Sequence, residues 1–134
     1  MKALTICQPY AELIARGEKL VENRTWYTAY RGPLLIHAGK SRAWLSEGDS
    51  ANLPFGAVVA VARVVACLRT SAPNWGRMEH LRSHAHTHGP LCWVLEDVTR
   101  LREPVFVNGA QGLWEPSSEL VARVSAQMAE AGHG

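Results

Sequence analysis

Cysteine is scarce in this chain, three residues in 134, at Cys7, Cys67 and Cys92. The number is odd, the positions are scattered, and no CxxC pair occurs. A disulfide framework and a cysteine-rich zinc knuckle are therefore both excluded. Each cysteine sits in an apolar run, which reads as a small buried hydrophobe, and reduced thiols fit a cytoplasmic protein. Long hydrophobic runs are also missing. The longest, Gly56 to Leu68, is too short to span a bilayer and contains Arg63. Met1 is followed by KALTICQPY, which has neither the apolar core nor the cleavage site of a signal peptide, so the expectation is a cytoplasmic protein with no membrane role. There is no phosphate loop, no GxGxxG, no local Ser/His/Asp or Cys/His signature, no internal repeat, no low-complexity segment and no linker. Charge of one sign does not dominate either: 14 Lys and Arg stand against 12 Asp and Glu.

What is present suits one compact unit. The length fits a single domain over residues 1–134, and 47% apolar residues suffice for a core. Charge is uneven along the chain. Residues 1–45 carry seven basic against three acidic side chains, and the remainder seven against nine, so an anionic partner approaching one side is expected. Lys2 to Ile6 alternates as a short strand. QPYAELIARG reads as a short helix with Pro9 at its first position and Gly17 as its C-terminal cap. Glu18 to Trp26 and Gly32 to Gly39 read as strands, and KSRAWLSEGDSANLP as a short helix plus loop. Gly56 to Leu68 reads as a long bent strand, LCWVLEDVTRL as another, EPVFVNG as a separate short one, and QGLWEP as a last extended piece. Ser71 to Pro90 is the least regular part. A helix over about 117–131 is capped by Ser117 or Ser118, with Leu120, Val121, Val124 and Met128 as its buried stripe. Many short strands, a few peripheral helices and no βαβ alternation give a mixed α+β fold built on a small barrel.

The informative stretch is GEKLVENRTWYTAYRG, Gly17 to Gly32. In strand parity Leu20, Glu22, Arg24 and Trp26 share one face, and Lys19, Val21, Asn23 and Thr25 the other. Glu22 and Arg24 thus fall on a face that Leu20 and Trp26 mark as partly buried. They must be paired or face a cavity, because an unpaired buried charge is very costly. One reading is a scaffold salt bridge. The other is a polar cleft with an aromatic wall, in which Arg24 offers a planar fork, Trp26 and Tyr27 offer stacking faces, Glu22 accepts from an amine and Lys19 neutralises a phosphate.

Gly17-x-Lys19-x-x-Glu22-x-Arg24 resembles the G-x-K-x-x-E-x-R signature of the ASCH domain family. Gln8-Pro9, Arg24 to Thr28, Arg31 to Ala38, Gly89 to Leu95 and Gln111 to Trp114 resemble further family segments, in the family's order. The resemblance implies a PUA-like fold, a small curved β-barrel with flanking short helices, whose relatives bind RNA or modified bases. It also implies a cleft beside the barrel at Lys19, Glu22 and Arg24. Some ASCH-like proteins are amidohydrolases of N4-acylated cytidine that pair the signature lysine with a threonine three residues later. This chain has Glu22 there, and Thr25 is out of register. Ribonuclease activity has also been suggested in the family, for which Lys19 with Tyr27 or His37 would serve as acid and base.

The expectation is therefore a nucleic-acid-binding module, RNA rather than DNA, that cradles a nucleotide or modified base through Lys19, Glu22, Arg24, Trp26 and Tyr27, with Arg31, Lys40 and Arg42 extending the basic surface. The alternatives are a small hydrolase of RNA or of a modified nucleoside, and a protein-interaction module. No cofactor is expected. The histidines His80, His84 and His88 would share a helix face, the one alternative to a reading without metal.

Overall fold

The computed structural model describes residues 1–46, 52–83, 87 and 89–133. Among these, six strands form one curled sheet: β1 (Lys2–Ile6), β2 (Val21–Arg24), β3 (Gly32–Ala38), β4 (Ala57–Arg69), β5 (Leu91–Phe106) and β6 (Leu113–Trp114), in the order β2-β5-β4-β3-β1-β6. Helix α1 (Tyr10–Ala15) follows β1, and α2 (Ser118–His133) ends the chain. A 3-10 turn, Gly76–Leu81, lies in the irregular segment before β5. The fold is the expected mixed one, a half-barrel with helices against it. Of KSRAWLSEGDSANLP, residues 41–46 form no helix and 47–51 lie outside the described residues.

The long strands explain the curl. β4 and β5 pair antiparallel with three register shifts, and each shift bends the ribbon. Asp97 takes φ +53° beside one of them, a left-handed position that aspartate tolerates better than most side chains. Another shift separates Val58↔Val105 from Ala60↔Arg100 and leaves Pro104 in the surplus, where its missing N–H disrupts no pairing. Residues 91–106 are therefore one strand and not two.

Both faces of the sheet are covered, which is why GPLLIHA reads as continuously apolar. Leu34 and Ile36 point to the inner core with Leu4, Ile14 and Trp93, while Leu35 points out to meet Leu120 and Val124 of α2. Ser117 caps α2 by accepting the Leu120 N–H at 3.1 Å. A third cluster seats Trp75 and Met78 over Val21, Cys92 and Val94. Trp75 is thus a core residue, its indole N–H donating to the Arg69 carbonyl at 2.9 Å.

Helix α1 is fixed at both ends. At its C-terminus Gly17 takes φ +78°, and the Gly17 and Glu18 N–H groups return to Ile14 O and Leu13 O. Glu12 is clamped by both Nη atoms of Arg100, at 3.1 and 2.6 Å, which ties the helix to β5 and holds its carboxyl below the usual range. No helix is long and apolar enough to cross a membrane among the described residues.

Candidate functional site

The turn that ends α1 delivers Lys19 to the site before β2 begins at Val21. Strand parity therefore does not govern Lys19, and its ammonium reaches the same place as Glu22. Lys19 Nζ donates to the Val21 carbonyl and, at 2.8 Å, to Glu22 Oε1. The other carboxylate oxygen, Oε2, accepts from Arg24 Nη2 at 2.8 Å. The side chains of Lys19 and Glu22 are 4% and 9% exposed, so they form a buried pair and not a surface one, with the partly exposed Arg24 beside it.

Arg24 does something further. Its Nη2 also donates to the Thr5 carbonyl at 3.1 Å. β2 lies at one edge of the sheet, and three strands separate it from β1. The arginine thus bridges the open seam of the half-barrel. Its Nε–H is buried and has no partner among the described residues.

A cavity of about 430 Å³ lies along this seam. Thr5, Ile6 and Cys7 form one wall, Lys19 and Glu22 to Arg24 the other, and Tyr10 and Trp44 the rim. Its volume falls within the range of about 300–1,000 Å³ usual for ligand pockets. The Tyr10 and Trp44 rings lie 6.5 Å apart at 59°, and Trp44 is well exposed. Among the described lining residues Glu22 is the one carboxylate, and it is engaged by two cations.

The ASCH domain family model matches residues 4–106. The chain belongs to that family. A 35-residue stretch is 54% identical to human activating signal cointegrator 1, and a 39-residue stretch is 51% identical to its mouse counterpart. These stretches cover 26% and 29% of the chain and only 6% and 7% of those much longer proteins. Crystal structures of ASCH from Zymomonas mobilis superpose with a TM-score of 0.58 at 18% identity, covering 93% of both chains. A point-mutant form of that protein gives 0.59 at 16%, covering 93% of this chain and 94% of the other. At such identity the likeness is one of fold, and the fold is PUA-like.

Of the remaining candidates in this ASCH domain, Trp26 lines a cavity that shares Arg24 with the seam cavity and Lys40 one that shares Thr5, whereas Tyr27, Arg31 and Arg42 line none of the three. Trp26 sits just past β2, its ring 4.8 Å from Trp93 and nearly perpendicular to it, and its outer surface is exposed. Tyr27 is more exposed still and does not line the seam cavity. Arg31 Nη1 donates to the carbonyls of Thr28 and Tyr30, both at 2.9 Å, and so braces its own loop. The Arg42 guanidinium lies 4.0 Å above the Phe55 ring centroid, and Lys40 Nζ lies 3.3 Å from Asn108 Oδ1.

His37 is fully engaged. Its Nε2–H donates to the Val107 carbonyl at 2.7 Å, and Nδ1 accepts from the Thr5 hydroxyl at 3.1 Å, which itself accepts the Trp114 indole N–H at 3.1 Å. A carbonyl only accepts, so the proton is on Nε2. Burial pushes its pKa below 6.5, with nearby Lys40 acting in the same direction and the Val107 bond opposing. A histidine with a depressed native pKa contributes stability that is present above pH 6.5 and lost as pH falls below it. Urea midpoints should therefore drop between pH 7 and pH 5 in the native protein, and drop less in His37→Gln.

Six residues of the cavity were not among the sequence candidates: Thr5, Ile6, Cys7, Tyr10, Asn23 and Trp44. Cys7, expected to be buried, is half-exposed on the cavity wall, whereas Cys67 and Cys92 are buried as expected. Tyr10 directly follows the Gln8-Pro9 pair, and that adjacency was the signal available. Of the histidines, His80 is exposed on the 3-10 turn, and His84 and His88 lie outside the described residues. Among the described residues no group of three His, Cys, Asp or Glu side chains is placed to hold a metal ion.

Proposed function

We propose that this ASCH domain binds single-stranded nucleic acid, RNA in preference to DNA, by taking one nucleotide into the seam cavity. The observation that carries this reading is a seam cavity lined by Lys19 and Arg24, whose carboxylate Glu22 is already engaged by both. A phosphate or carbonyl oxygen entering the cavity meets cationic donors there, and charge-assisted hydrogen bonds of that kind are the strong ones. In this reading Arg24 and the remaining Lys19 N–H hold the acceptor, Glu22 orients both cations, and Tyr10 and Trp44 flank the base. Trp26 and Tyr27 offer further stacking surface, and Arg31, Lys40 and Arg42 lie along the backbone path. Family membership and the basic first third of the chain support the same assignment.

The test is fluorescence anisotropy with short random-sequence RNA and DNA across a salt series. Affinity for RNA should fall with salt at a log–log slope of about −0.7 per phosphate contact, and Arg42→Ala should flatten that slope without changing base preference. Salt-independent affinity would contradict phosphate binding. Turnover of RNA or of N4-acetylcytidine by the purified protein would replace the binding reading with a hydrolase.

A further inference from the structure

The seam cavity is flanked on both sides. On the β1 side a second cavity, of about 410 Å³, shares Thr5 with it and is lined by His37, Lys40, Asn108 and Gly109. On the β2 side a third, of about 310 Å³, shares Asn23 and Arg24 with it and is lined by Trp26, Gly89 and Pro90. The two flanking cavities have no lining residue in common, and each shares lining residues with the seam cavity. The Arg24–Thr5 bridge joins one shared residue to the other.

We infer that the three cavities form one groove that takes three consecutive unpaired nucleotides, the central one in the seam cavity. This rests on the reading above and extends it from a nucleotide pocket to a strand track. The chemistry differs along the groove in the way a strand requires. At one end Trp26 is held edge-to-face on the fully buried Trp93, whose indole N–H lies 3.4 Å from the Trp26 carbonyl. It is an aromatic surface fixed in place before any ligand arrives, which lowers the ordering cost of stacking a base on it. At the other end Lys40 brings an exposed ammonium, suited to a phosphate. The loop at that end stays shallow because Gly109 lies hard on the Thr5–His37 pair: a Cβ there would fall 2.5 Å from Thr5 Oγ1 and 2.6 Å from His37 Cε1. Among the described residues no carboxylate lines either flanking cavity. A duplex cannot present bases to indentations of this kind, so the strand is single.

Competition binding with random-sequence RNA of one, two, three, four and six nucleotides tests the track. Affinity should rise by about tenfold or more from one to three nucleotides, the range expected for an added stacked base and phosphate, and then level off. Trp26→Ala and Lys40→Ala should each reduce the three-to-one affinity ratio to about threefold or less, and Trp26→Phe should restore most of it, because an aromatic face remains. Lys40→Ala should also flatten the salt dependence of the trinucleotide by about 0.7 in slope. Equal affinity for one and three nucleotides would overturn the track while leaving the single-nucleotide pocket standing. Binding of none of these RNAs would overturn both readings, and tighter binding of a duplex of equal length would overturn the single-strand track.

Discussion

Replacing Glu22 by alanine should destabilise the protein by about 3–5 kcal/mol, the usual consequence of removing one partner from a buried ion pair. Glu22 receives Lys19 on one oxygen and Arg24 on the other, and both Lys19 and Glu22 are almost wholly out of water. Without the carboxylate, the Lys19 ammonium keeps only the Val21 carbonyl. Total stabilities of domains of this size run at about 5–15 kcal/mol, so the variant should sit near its unfolding threshold at ordinary temperature. Urea titration by tryptophan fluorescence reads this directly. The double variant Lys19→Met, Glu22→Leu should recover much of the stability, because a well-packed apolar pair often replaces a buried ion pair at no loss. It should not recover nucleic-acid binding, since Arg24 is then left unoriented. A loss under about 1 kcal/mol in Glu22→Ala would mean that water reaches the triad as it reaches a surface pair.

Arg24→Ala should weaken RNA binding by about thirtyfold or more, equivalent to roughly 2 kcal/mol for lost charge-assisted hydrogen bonds. Two losses combine. The cavity loses a lining guanidinium, and the seam loses the bond that joins β2 to the Thr5 carbonyl of β1. Arg24→Lys should bind nearly as poorly as alanine. An ammonium is a compact point charge whose three donors leave one atom, whereas the guanidinium presents five donors in a fixed planar fork that spans Glu22 and Thr5. Stability should suffer less than in Glu22→Ala, because Glu22 still holds Lys19. Affinity measured by anisotropy, beside a urea midpoint for each variant, separates the two effects. Full binding by Arg24→Lys would show that charge alone is required.

The two variants probe a feature that was only half legible in the sequence. Charge at Glu22 and Arg24 on a face marked by Leu20 and Trp26 required pairing or a cavity, and the structure has both. Parity, however, placed Lys19 on the opposite face. It fails there because the chain is still leaving α1 at Lys19 and becomes a strand only at Val21. The split of residues 91–106 into two strands has a similar origin. Pro104 breaks the local pattern, and only the pairing with β4 shows that it falls in a bulge within one strand. The Val/Ala run, the apolar GPLLIHA strand and the C-terminal helix were readable because each carries its own periodicity or turn signal. The meeting of Thr5, Cys7, Tyr10 and Trp44 across the seam was not, since it depends on how far the sheet curls. That curl is set by register shifts between β4 and β5, which no local pattern announces.

The central claim, that the β1–β2 seam is the binding surface, is tested most directly by a two-dimensional proton–nitrogen NMR titration with short single-stranded RNA. The Arg24 Nε–H and the Trp44 indole N–H each give a resolvable signal. Both should shift early in the titration together with the backbone amides of Thr5, Cys7 and Asn23, while the amides of α2 stay in place. Shifts confined to α2 or to the 3-10 turn, with the Arg24 and Trp44 signals unmoved at saturation, would contradict it.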